Sequence, residues 1–146
     1  MPLQIIDAAT ARAALDDTYR APLAGGKIQI REGNTGTLII EFDLPTPATA
    51  AAVGTDDVPG TRSITFAGVP YTGTAVASSV NDTTDLQASY VSSGGDVIHG
   101  FSLVTTTADG TGSILISGTS GHAANSKKPV IVSGNEVSMA SGVISL

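Results

Sequence analysis

The chain has 146 residues, a net charge of -6 at neutral pH, 17 glycines, no cysteine and no tryptophan. That length suits one domain, residues 1–146, able to bury roughly 70% of its unfolded surface, and a hydrophobic fraction of 41% is far from a disordered composition. Without cysteine there is no disulfide scaffold, no thiolate nucleophile and no Cys-based metal site.

The acids are scattered along the chain and the longest basic run is Lys127 and Lys128, which reads as a solvated loop. Phosphate binding needs clustered Lys and Arg, so nucleic acid is not an expected partner. No apolar run approaches the roughly 18 residues of a membrane span. The N-terminal "MPLQIIDAAT" lacks the basic and long apolar regions of a signal peptide. The expectation is a protein made in the cytoplasm that stays soluble until it meets a partner.

In chain order, residues 1–6 form an apolar arm and residues 7–21 the only helix. Asp7 can cap the helix by accepting free N–H groups of the first turn, with Ile6 and Ala11 placed as a hydrophobic staple. Ala8, Ala11, Leu15 and Tyr19 share one face. Arg12, Asp16 and Arg20 line another at a spacing of four, where opposite charges support each other. Pro22 is expected to end the helix, because the residue before a proline is pushed out of the helical region. So narrow an apolar face must lie against something, either its own sheet or a neighbour.

After Gly25 and Gly26 the period switches to that of strands. "KIQIREG" alternates Ile28 and Ile30 with polar residues. "NTG" can turn the chain. "TLIIEFDLP" places Leu38, Ile40, Phe42 and Leu44 on one face, and Ile39 on the other suggests that this strand is covered on both sides. "ATAAAVGTDDVPGT" is a loop, and "RSITFAGVPYTGTAVASSV" holds two short strands around Pro70, a residue suited to an edge or a bulge. "NDTTD" turns the chain again. "LQASYVSSGGDVIHGFSLVTTTADGTGSILISG" reads as strand, Gly-Gly turn, long strand, Asp-Gly turn and strand. The end, "VIVSGNEVSMASGVISL", reads as strands about a Gly-Asn turn with a last short apolar strand. About eight or nine strands at regular spacing predict an all-β fold, an antiparallel β-sandwich or barrel, jelly-roll-like, with one short N-terminal α-helix.

No catalytic constellation emerges. His99 lies in an alternating strand and His122 in a polar loop, with no H-x-H or H-x-x-x-H spacing for a metal. The G-x-S-x-G nucleophile elbow is absent, and a Ser-His-Asp match among so many serines carries no weight. Carboxylate pairs occur at Asp56 and Asp57, at Glu41 and Asp43, and at Asp82 and Asp85. Glu41 and Asp43 should both point outward, and the aromatic lining of a sugar-cleaving cleft is missing. "NDTTD" and "TADGTG" are oxygen-rich turns that do not match a calcium loop. No catalytic residue, metal or cofactor is expected.

The order of features resembles small virion structural proteins of tailed bacteriophages. "TARAALDDTYRAPLAGGKIQIREG" matches their short helix running into a G-A-K-I-x-I-x-x-G strand. "TLIIEFDLPTPATAAAV" matches their acidic strand before a Pro/Ala-rich loop, and "GGDVIHGFSLVTTTADGTG" and "NEVSMASGVISL" match their later strands. The stretch "PGTRSITFAGVPYTGTAVASSVNDTTD" matches least. The resemblance implies a non-enzymatic capsid decoration, or cement, protein, located in the virion, that binds the outer head lattice. Its implied partners are the major capsid protein and itself, as a homotrimer. Leu3, Ile5 and Ile6 of the arm, with Leu15 and Tyr19 of the helix, are the candidate partner-binding residues. Two other readings stand beside it. One is a tail or tail-tip component. The other is a carbohydrate-binding or adhesion module, for which Tyr71, Tyr90 and Phe101 are the only aromatic candidates.

Overall fold

A computed structural model describes residues 8–32, 36–49, 63–79, 86–106, 114–117 and 129–145, with side chains 8, 11, 98–102, 106 and 145 left out of the description. The Asp7 cap, the staple at Ile6 and the arm lie outside it.

The helical segment opens as α1, Ala8–Leu15, passes through a π-helical turn, Asp16–Arg20, and closes as α2, Ala21–Leu23. Pro22 therefore does not stop the helix where the sequence suggested. A proline inside a helix removes a donor and crowds the carbonyl four residues back. Here the ladder has already widened: the Ala21 N–H donates to Asp16 O, an i to i−5 bond. Pro22 then sits in the first turn of a new segment, where a missing N–H is harmless.

Among the described residues eight strands follow: β1 Lys27–Glu32, β2 Leu38–Asp43, β3 Ser63–Thr65, β4 Tyr71–Thr74, β5 Leu86–Val91, β6 Val97–Thr106, β7 Ile114–Ser117 and β8 Glu136–Ser145. They pair in the order β2-β1-β5-β6-β7-β8-β3, with β4 also on β8. This is the expected all-β fold with one short helical segment, the sheet curling into a half-barrel. It departs from a purely antiparallel sheet at one place. β6 and β7 run parallel, with Val104 opposite Ile114, where the Asp-Gly turn suggested a hairpin. A turn signal records that the chain reverses, not which side of which strand it rejoins. β7 takes its antiparallel partner from β8 instead.

The last strand differs in another respect. A separate last short apolar strand was expected, yet β8 runs unbroken through Gly142 for ten residues. The glycine is there for space. A Cβ on it would sit 2.6 Å from Met139 Cε and 2.8 Å from both Ile114 Cδ1 and Phe66 Cδ2.

The concave side holds the core. Ile28 and Ile30 of β1, Ile40 and Phe42 of β2, Ala88 and Tyr90 of β5, Val104, Ile114, Ile116, Val137 and Met139 are all buried there. Leu15 and Leu23 belong to the same cluster, so the helix plugs the hollow of its own sheet. Tyr19 meets Tyr90 edge-on at 6.2 Å, and Phe66 stacks at 5.8 Å on Tyr90. Backbone bonds fasten the plug's exit: the Gly26 N–H donates to Leu23 O, and the Ser93 N–H to Pro22 O. At that exit only glycine fits, since a Cβ at position 26 would lie 2.2 Å from Val91 O.

Candidate interaction surfaces

The outside of β1 and β2 gathers five of the described charged and polar side chains. Strand alternation turns Lys27, Gln29 and Arg31 outward on one strand, and Glu41 and Asp43 outward on the other. The register pairs Lys27 with Asp43 and Gln29 with Glu41. Lys27 Nζ lies 3.0 Å from Glu41 Oε1 and 2.9 Å from Asp43 Oδ1. Gln29 Nε2 donates to Glu41 Oε2 at 2.8 Å, and Arg31 donates to Gln29 Oε1 at 3.1 Å and to Gly36 O at 3.2 Å. Hydrogen bonds from Gln29 and Lys27 hold the Glu41 carboxyl below its usual range. Hydrogen bonds to Asp43 and Glu41, with their charge, raise Lys27. Both carboxylates accept hydrogen bonds from Lys27. The sequence expectation that the pair faces solvent holds.

The candidate partner residues separate. Leu15 is fully buried in its own chain's core, and Tyr19 is half-buried against Tyr90. Both were offered as partner contacts on a helix of unknown docking. In the structure their apolar surface is spent on this chain's own sheet, for the simple reason that the half-barrel needs filling. Leu3, Ile5 and Ile6 lie outside the described residues.

The aromatic candidates for sugar binding fare likewise. Tyr90 is 1% exposed and Tyr71 is 8% exposed, so neither offers a ring face for stacking. The Tyr71 hydroxyl donates to Ala67 O and lies 3.4 Å from Ala48 O, and burial pushes its pKa up to about 12. The side chains of Phe101 and His99 are outside the described set, as are His122, Asp56, Asp57, Asp82, Asp85, Lys127, Lys128 and the "TADGTG" turn. Among the described residues no group of three His, Cys, Asp or Glu side chains could hold a metal.

Two features escaped the sequence. An open groove of about 530 Å³ lies between the π-turn and the chain leaving β2, lined by Asp16, Asp17, Arg20, Ala21, Ala24, Thr46 and Pro47. Arg20 Nε donates to Thr49 O at 3.4 Å near one end of it. The second feature is the margin of β6. β5 covers one side of it along residues 97–103, while β7 covers the other only from Val104 to Thr106. Val97 and Leu103 on this stretch are 51% and 41% exposed.

No family model, curated protein or solved structure matches this chain.

Proposed function

We propose that this chain is a non-enzymatic virion structural protein of a tailed bacteriophage, a decoration or cement protein that binds the outer head lattice through the major capsid protein and stabilises it. The observation that carries this reading is the helix, Gly-Gly, β1, β2 order in "TARAALDDTYRAPLAGGKIQIREG" and "TLIIEFDLP", the stretches that carry the resemblance to such proteins. Two further features support it. A small domain with a filled barrel and a satisfied ionic face suits a passive clamp. A surface repeated over a lattice needs only modest contacts per copy, because they add through multivalency. In this reading Leu3, Ile5 and Ile6 of the arm contact the shell.

The test is copy number. Particles purified on a density gradient should carry this chain at a ratio near one to one with the major shell protein. A few copies per particle would move it to the tail, and absence from particles would discard the reading. Deleting residues 1–6 should then weaken shell binding while leaving the unfolding transition in place.

A further inference from the structure

We draw no further inference here: the strongest candidate, the open groove between the π-helical turn and the chain leaving β2, rests on the Asp16 and Asp17 carboxylates beside Arg20 with no second observation that points to a ligand, and nothing in the structure shows what covers it.

Discussion

The margins of β2 and β6 are made from similar strands, rich in isoleucine, valine and leucine, yet among the described residues β4 comes alongside the first and β7 pairs beside the second only from Val104 to Thr106. At β2 the sheet curls until β4 arrives alongside. Gly73 lets the two backbones touch: a Cβ there would stand 3.0 Å from Glu41 O and 3.3 Å from Ile40 Cδ1. On β2, Ile40 and Phe42 fill one face, and on the other Ile39 is covered while Glu41 and Asp43 turn outward. At β6 the described neighbour β7 is four residues long against ten and pairs with it from Val104 to Thr106. The difference teaches that closure here depends on strand length and a single glycine, not on hydrophobicity.

Substitutions on the two margins should therefore part widely. Phe42→Ala opens a cavity beneath the β2 margin and should destabilise by about 3–5 kcal/mol in denaturant unfolding. A loss below about 1 kcal/mol would show the β2 side to be loosely packed. Gly73→Val wedges the seam and should cost about 1–3 kcal/mol, with faster amide exchange at Val76. Tyr71, beside that seam, is neutral when folded up to about pH 12, against 10.0 for the free side chain. The unfolded state ionises first, so the stabilisation is complete below pH 10.0 and is lost as pH rises toward about 12. Tyr71→Phe should flatten that alkaline loss, apart from the share that Lys27 contributes in the same range.

Glu41→Gln tests the outer face of the same margin. The Glu41 carboxyl is held below its ordinary value of 4.5, so its contribution is present above that pH and fades below it. The variant should show a shallower acid limb and a smaller response to salt than the parent. Smallest of all, Leu103→Ser on the β6 margin should change the stability of the dilute protein by no more than about 0.5 kcal/mol. A large loss there would mean that Leu103 is packed against its own chain.

How much of this could be read from the letters follows the same division. The strands were legible because alternation is local: Ile28 with Ile30, and Ile40 with Phe42, mark their inward faces unaided. Ile39 suggested cover on the second face, and that cover holds at Ile39 itself but not at Asp43, which is exposed. The parallel pairing of β7 was not legible, since both pairings satisfy the same alternation. Nor was the role of Gly142, which depends on Met139, Ile114 and Phe66 meeting it from three elements. Of the expected helix face, Leu15 and Tyr19 turn to the core; its partner was left open, and the sheet behind Leu15 resolves it. The pairing of β6 is a matter of which strand ends beside which, and no window of sequence contains that.

The pairings of β8 bear on how the chain is made. This last strand joins β7, β3 and β4 at once, bringing Ser145 opposite Ser63 and Met139 opposite Tyr71. Such distant pairings are slow to form. A chain leaving the ribosome at about 5–20 residues per second carries its helix for several seconds before the strand that completes the half-barrel exists. Until then Leu15 and Leu23 have no finished core to enter. Synthesis halted short of residue 136 should yield a chaperone client and not a smaller folded protein, so the last ten residues of β8 decide whether all the earlier ones count.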